Sequence, residues 1–386
     1  MGDELRTLVW YNISMKTYKY RIYPTKKQQQ KLCDTLESCR VLYNCALEQR
    51  KVAYKRFGVS LNYYHQADEM KGLKETFPSY KQIHSQILQD VLKRADKAFQ
   101  NFFRRVKFGE KAGYPRFKGK GWYDSFTYPQ SGFSLSANSK GNQRLKLSKI
   151  GEVKIKLHRV IKGTIKTCTI KKEVNKWYIC FACEVEPEHL PKTGKAVGID
   201  VGLEKFATLS DGTLIKNPKF LRKSEAKLRR EQRKLSRKKK GSNSRKKQKT
   251  KLAKMHRKIK NQRNDFLHKE SNKLVNNYDT IVFEDLRIKN MVKNHKLAKS
   301  ISDASWSKFI EYTTYKAESA GKKVILVNPR NTSQICSGCG NMVKKSLAAR
   351  THKCPYCGLI LDRDVNAAIN ILRAGTAPGG ATAVAG

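Results

Sequence analysis

The period of the apolar residues changes several times along the chain, and each change predicts an element. From Met15 the residues alternate, with Tyr18, Tyr20 and Ile22 on one face of a strand and Lys19 and Arg21 on the other. Pro24 stops that strand. Thr25 can then cap a helix starting near Lys26, which carries Leu32, Leu36, Val41, Leu42 and Cys45. Helical spacing returns over about 80–106 through Ile83, Ile87, Val91, Leu92 and Ala95. After Pro115 the period becomes two. Leu145/Leu147 and Val153/Ile155/Leu157 alternate with lysines, and 165–170 and 177–185 form a hairpin around Asn175. The first half therefore reads as a small barrel or sheet with a helical insertion. Residues 1–14 resemble nothing that follows, and Met15 is an alternative start.

From Ala196 the texture shifts. Stretches 197–201, 206–209 and 214–215 are strand candidates, with Asp211-Gly212 as a tight turn between the last two. Residues 222–260 then hold 20 Lys+Arg against two acids, Glu225 and Glu231. Leu221, Leu228 and Leu235 recur every seven residues, and Leu252, Met255 and Ile259 at steps of three and four. Gly241-Ser242-Asn243 separates the two runs, so the segment reads as a helical hairpin with an apolar seam and basic outer faces. A strand at 278–283, a helix at 302–320 and a strand at 323–327 follow. The last helix, 364–373, places Val365, Ala368, Ile369 and Leu372 on one face. Beyond it the Gly/Ala-rich end reads as disordered.

Charge narrows the partner. Across 386 residues, 81 Lys+Arg against 32 Asp+Glu leave a net +49, which opposes compaction unless a polyanion neutralises it. No apolar run approaches the roughly 18–20 residues that span a bilayer, and Asp3, Glu4 and Arg6 do not suit a signal peptide. No membrane role is expected. Nucleic acid is the better partner, and the cytoplasm, alongside the nucleoid, the expected compartment. Cys33, Cys39, Cys45, Cys168, Cys180 and Cys183 read as buried free thiols, because even the Cys180-x-x-Cys183 pair lies in a strand whose neighbours alternate.

Two constellations carry chemistry. Cys336-x2-Cys339 and Cys354-x2-Cys357 present four thiolates, the set a structural zinc ion takes in a tetrahedron. Three acids are the other. Asp200 lies within the apolar 197–201 run, Glu284 ends a second such strand, and Asp364 opens the last helix. Carboxylates placed in buried runs are usually paired with a cation or metal. This strand, strand and helix order fits an RNase H-like arrangement, in which the acids converge at the sheet's centre. Such a set suits two Mg²⁺ or Mn²⁺ ions and in-line hydrolysis of DNA, with Asp200 shared between the ions.

Four ordered stretches carry a resemblance. They are Gly198-Ile199-Asp200-Val201-Gly202, Phe283-Glu284-Asp285-Leu286, Thr332-Ser333-Gln334-x-Cys336-Ser337-x-Cys339-Gly340 and Asp362-Arg363-Asp364-x-Asn366-Ala367-Ala368. They resemble the signatures of TnpB, insertion-sequence nucleases similar to ancestors of type V CRISPR effectors. Arg21-Ile22-Tyr23-Pro24-Thr25, Gly113-Tyr114-Pro115-Arg116-Phe117 and Ser302-Asp303-Ala304-x-Trp306 add to the match. The resemblance implies an α+β multidomain protein. Its N-terminal tail and first part of a barrel-like wedge domain would occupy 1–35, an inserted helical recognition domain 36–115, and the rest of the wedge 116–195. A RuvC-like core with the basic hairpin (222–262) would occupy 196–328, a zinc ribbon 329–360, the final RuvC helix 361–373 and a disordered tail 374–386.

It further implies an RNA-guided DNA endonuclease, a monomer, that carries a guide RNA derived from the transposon end. Double-stranded target DNA would be recognised by a short transposon-adjacent motif and cut in one RuvC-like site. Ser85, Gln89 and Thr127 fall at motif-contacting positions, and an exposed polar role is the alternative for each. Arg230, Arg233, Arg237 and Lys238 are the nucleic-acid contacts expected on the hairpin. A nuclease-dead binding protein of the same family would lack one of the acids, and a strand-joining transposase would lack the ribbon and the Asp-Arg-Asp-x-Asn stretch.

Overall fold

A computed structural model describes residues 14–137, 143–346, 349–377 and 382–383. The distinctness of residues 1–13 lies outside the described residues. The chain divides into two compact units, Met1–Glu186 and Pro187–Gly386.

The first unit opens with β1 (Ser14–Tyr23), α1 (Lys26–Phe57), the short α2 (Tyr63–Asp68) and α3 (Met70–Thr76), and α4 (Ser85–Lys107). Six strands follow: β2 (Ser125–Tyr128), β3 (Phe133–Ala137), β4 (Gln143–Leu147), β5 (Gly151–Lys156), β6 (Thr164–Glu173) and β7 (Lys176–Val185). They join β1 in one antiparallel sheet of order β2-β6-β7-β1-β5-β4-β3. Tyr18, Tyr20 and Ile22 are buried as their alternation requires. Thr25 caps α1 through a reciprocal box with Gln28, and Gly58 at φ 67 ends it. The buried face of α1 runs Leu32, Leu36, Cys39, Tyr43 and Ala46. Val41 and Cys45, expected inside, are exposed: nine residues from Leu32 is two and a half turns, the opposite side. The helix also runs unbroken across position 35/36, and one hydrophobic core joins α1 and α4 to the sheet. The helical period expected from 80 begins at Ser85, after a 3₁₀ turn opened by Pro78.

The second unit contains β8 (Ala196–Val201), β9 (Lys205–Leu209), β10 (Leu214–Lys216), α5 (Phe220–Ser236), α6 (Asn243–Asn277) and β11 (Thr280–Glu284). Then come α7 (Ile288–Met291), α8 (His295–Ala304), α9 (Trp306–Ser319), β12 (Lys323–Val327), β13 (Thr351–Lys353), β14 (Ile360–Asp362), α10 (Arg363–Thr376) and β15 (Thr382–Ala383). The sheet order is β10-β9-β8-β11-β12-β15. β8, β9 and β10 are antiparallel, while β11 runs parallel to both β8 and β12. This is the RNase H-like order. β13 and β14 form a separate two-stranded ribbon.

Three expectations change here. The single helix over 302–320 is two, because Ser305 adopts a left-handed φ of 59 and turns the chain between Ala304 and Trp306. In α10 the buried face is Ala367, Ala368 and Ile371 with Asn366 and Asn370, whereas Val365, Ile369 and Leu372 are half-buried. The C-terminal stretch expected to be disordered is helical to Thr376, and Thr382 and Ala383 pair with β12. Its remaining residues lie outside those described.

Candidate active site and metal centre

Strand register brings two acids together. β8 and β11 lie side by side with Phe283 opposite Ile199, so the next residues along, Glu284 and Asp200, leave the sheet as neighbours. The third acid depends on how closely α10 approaches β8. Gly198 permits that approach: a Cβ there would fall 2.1 Å from the Ala368 carbonyl oxygen and 2.5 Å from the Leu372 nitrogen. Asp362 caps the helix, accepting the amides of Asp364 at 2.9 Å and Val365 at 3.3 Å. Asp364 therefore stands on the first turn, beside Asp200.

Asp200 feels the charge of both other carboxylates. Burial pushes Asp200 up to about 8, with the charges of Glu284, Asp364 and Asp362 adding to it and Arg363 opposing. Burial also raises Glu284, although the Thr332 hydroxyl, donating to its Oε1 at 2.5 Å, favours the carboxylate. Two cations reach the edge of the cluster. Arg363 Nη2 lies 3.1 Å from Asp364, and Lys205 Nζ lies 2.7 Å from Asp362 and 3.9 Å from Asp364. Between them they pair with Asp362 and Asp364 on the helix side of the cluster, and Arg363 also opposes the rise at Asp200. Carboxylate oxygens are hard donors of the kind a divalent cation takes.

The cysteines form the tighter set. Cys336 Sγ is 3.7 Å from Cys357 Sγ, Cys339 Sγ is 3.6 Å from Cys354 Sγ, and all four sulfurs lie within 4.8 Å of one another. Zn–S bonds of about 2.3 Å in a tetrahedron place sulfurs about 3.8 Å apart, so the set fits zinc. Burial disfavours the Cys336 thiolate, yet hydrogen bonds from the Cys339 backbone, His352 and the Gly338 backbone bring it down to about 5. A backbone hydrogen bond at Leu359 favours the Cys357 thiolate, but the neighbouring Cys354, Cys339 and Cys336 push it up to about 12. Four thiolates cannot coexist here without a cation. Among the described residues no other group of His, Cys, Asp or Glu is drawn together so closely.

The expected nucleic-acid contacts divide. Arg230, Arg233 and Arg237 are exposed along α5 and its end, whereas Lys238 is half-buried and donates to Ser244. The α5–α6 seam holds buried Leu228 and Ile259, and also a buried acid: Glu231 accepts Gln248 at 2.7 Å and pairs with Lys251 at 3.1 Å. Ser85 and Gln89 are exposed one turn apart on α4, with Lys74 donating to Ser85. Thr127 is already engaged, by Arg94 at 2.7 Å and Thr169 at 2.9 Å. Of the scattered cysteines, Cys39, Cys168 and Cys183 are buried as expected. Cys33 and Cys180 are half-buried and Cys45 is exposed, which corrects the expectation for those three.

The chain is 36% identical over 378 residues to a putative RNA-guided DNA endonuclease of Streptomyces pristinaespiralis, covering 94% of this chain and 90% of the relative. It is 35% identical over 385 residues to the putative RNA-guided DNA endonuclease InsQ of Escherichia coli K12, covering 94% and 93%. Mimivirus proteins described as TnpB-like match 33% of the chain at 35% identity. The chain belongs to the TnpB family. Family models agree along its length: one described as a helix-turn-helix domain matches 15–58, a probable transposase matches 180–295, and a Cas12f1-like TNB domain matches 306–371. In this TnpB chain the segment 15–58 is a strand and one continuous helix, β1 and α1. The fold is shared with the Cas12f1–sgRNA–target DNA complex (TM-score 0.58, 13% identity, 93% of this chain and 99% of that one). It is also shared with the mini-RNA-guided endonuclease Cas_phi3 (TM-score 0.51, 11% identity, 94% and 92%).

Several contacts of the TnpB site had no signal in the sequence, although Thr332 itself opens one of the four ordered stretches. Thr332 reaches back to Glu284 from the approach to the ribbon, and Asn370 donates to the carbonyls of Thr332 and Ile335 at 2.8 and 2.7 Å. His352 is fully buried against the cysteines, with Lys345 bonded to its Nδ1. Lys205, an ordinary strand lysine by sequence, neutralises the helix cap. Only the fold brings these partners within reach.

Proposed function

We propose that the protein is an RNA-guided DNA endonuclease that cuts target DNA at the Asp200–Glu284–Asp364 cluster. The observation that carries this is the register that sets Glu284 beside Asp200 at neighbouring strand ends, with Asp364 on the capped first turn of α10 and its charge felt at Asp200. Asp200 would be the ligand shared by two ions, with Glu284 and Asp364 each holding one. Bound there, Mg²⁺ or Mn²⁺ supplies the charge that activates a water and stabilises the leaving 3′-oxygen of a phosphodiester. The chain's own contribution is positional. Thr332 orients Glu284, the Asp362 cap fixes the first turn of α10, and Arg363 and Lys205 hold Asp364 and Asp362 in place beside Asp200. Zinc on the four cysteines would be structural, since a four-thiolate site leaves no open position.

The relatives' names support RNA guidance, and the charge of +49 suits a protein that carries RNA and grips a target duplex. Transposon-end RNA, a monomeric protein, a transposon-adjacent motif read by Ser85 and Gln89, and the cytoplasm as the compartment belong to the same proposal. Thr127, with its hydroxyl committed to Arg94 and Thr169, would position Arg94 and β2 before it could read a base. The segmentation into wedge, recognition, RuvC, ribbon and tail is likewise proposed. The test is cleavage of a plasmid bearing a guide-matched site, with and without EDTA. Loss of cutting on chelation, and in Asp200→Ala with RNA still bound, is the expected result. Chelator-resistant cleavage would overturn the assignment.

A further inference from the structure

The first unit contains a hollow that the nuclease reading leaves unused. Between α1 and α4 lies a cavity of about 660 Å³, walled by Tyr54, Phe99, Phe102, Phe103 and Tyr114. That is the size range of small-ligand pockets. Tyr114 meets Phe99 edge-on at 5.6 Å and Phe102 at 5.3 Å, which makes a preformed aromatic wall. Tyr54 is 69% exposed, Phe103 59% and Tyr114 47%. Three large rings left to water around one hollow mark a surface that something covers.

The polar atoms state what kind of ligand. Arg50 lines the cavity at only 7% exposure, donating from Nε to Gln66 at 2.8 Å, pairing through Nη1 with Asp96 at 2.9 Å, and lying over the Phe99 ring. Its Nη2 is buried and has no hydrogen-bond partner among the described residues. A buried guanidinium N–H left unpaired is costly, so the site lacks one acceptor. Lys51 and Lys55, one turn apart on α1, also line the hollow. A ligand for these walls must be flat and apolar on its faces, carry an acceptor on its edge and trail negative charge. A nucleobase with its phosphodiester meets all three requirements.

We propose that this cavity receives an unstacked base of the RNA the protein carries, with a base carbonyl completing Arg50 and the flanking phosphates on Lys51 and Lys55. The proposal rests on the RNA-guided reading above. RNA is the source because the protein carries it before any target is engaged. Bases of a target duplex or of a guide–target duplex are paired and stacked, and the displaced DNA strand is single only while a target is open. Splayed bases belong to RNA loops and bulges, where proteins stack them on aromatic rings.

The test uses the full-length protein purified with its own RNA from cells fed 4-thiouridine, irradiated and digested so that nucleotide adducts can be mapped. Adducts on Tyr54, Phe103 or Tyr114 are expected. Copurified RNA with no adduct in this cavity would overturn the pocket alone, whereas protein that retains no RNA would overturn the RNA-guided reading itself. Tyr54→Ala with Phe103→Ala, both at exposed positions, supplies the second arm. RNA-free protein should bind labelled oligouridine about tenfold more weakly in this variant, while an abasic chain of the same backbone binds both proteins alike. Equal losses for the two probes would reduce the hollow to a charged surface. Preferential binding of oligothymidine, lost in the same variant, would assign it to DNA. Concentration-dependent dimerisation abolished by the variant would assign it to a second copy of the chain. Each of these three outcomes overturns the proposal.

Discussion

The side-chain carbonyl of Asn366 accepts the backbone amide of Ser337 at 2.9 Å, tying the helix that carries Asp364 to the knuckle between Cys336 and Cys339. The same asparagine donates to Ile335, and Arg373 donates to the Ser337 carbonyl at 2.8 Å. Thr332 closes the loop onto Glu284. The helix of Asp364 is therefore tied to the cysteine knuckle, and Glu284 to the segment that leads into it.

Cys336→Ser should lose zinc and, with it, cleavage, because the knuckle that positions α10 comes undone. Asn366→Ala is the sharper probe. It should keep zinc by metal analysis while cleavage falls about 10–100-fold, the usual effect of removing a supporting hydrogen bond from a metal site. Full activity in Asn366→Ala would show that the ribbon and the acids are independent.

Replacing the acids directly should cost more. Asp200→Ala, Glu284→Ala and Asp364→Ala are each expected to cut at less than about a thousandth of the wild-type rate, and the double variants no lower, since the three act as one unit. RNA retention, measured by absorbance of the purified complex, should be unchanged.

The position of Asp200 predicts a pH dependence. Its folded-state value rises from 3.8 to about 8, so the metal-free protein becomes less stable as pH climbs through that interval. The sign follows from which form the fold disfavours, here the carboxylate. A divalent cation must displace that proton below about 8, so its affinity should fall about tenfold per unit of acidification there. Melting temperatures with and without Mg²⁺ across pH should therefore diverge towards pH 8, and Asp200→Asn should flatten both curves.

Gly198→Ala tests the approach of α10. The added carbon would collide with backbone atoms, which cannot rotate away, and overpacking of this kind costs about 1–3 kcal/mol. A fall of several degrees in melting temperature, with cleavage reduced more than RNA binding, is expected. An unchanged melting curve would refute the contact.

On the basic hairpin, combining Arg230→Ala, Arg233→Ala, Arg237→Ala and Lys238→Ala should flatten the salt dependence of RNA binding by up to about four contacts, each worth a log–log slope of about 0.7 to 0.9. The Lys238 share should be smallest, because Ser244 already engages it. A filter-binding series across ionic strength measures this.

The sequence revealed most where local rules decide. Tyr18, Tyr20 and Ile22 declared their face by alternation, Thr25 its cap, and the two Cys-x-x-Cys pairs their tetrahedron. Asp200 and Glu284 stood out as acids in or at the end of apolar strand runs, and Asp364 as the acid that opens the last helix. What stayed hidden depends on distant partners. Ser305 gives no Gly or Pro signal, and its left-handed turn sits between the buried Ile301 and Trp306, beside Asp303, which Arg263 and the Leu221 amide hold. Asn366 and Asn370 broke the expected apolar face of α10, since their burial makes sense only against the backbone of 332–337.

One feature of the hairpin reaches beyond binding. α6 is a single helix of 35 residues, about 50 Å long, with Gln248 at its outer end and Leu267, Leu274 and Val275 set in the core. Only Tyr278 and Asp279 separate it from β11, and Asp279 is clamped by the amides of Thr193 and Gly194. The basic arm and the strand bearing Glu284 are thus two ends of one stiff lever with a short, braced pivot. A load that bends the arm has no slack segment in which to dissipate before it arrives at the root of that strand.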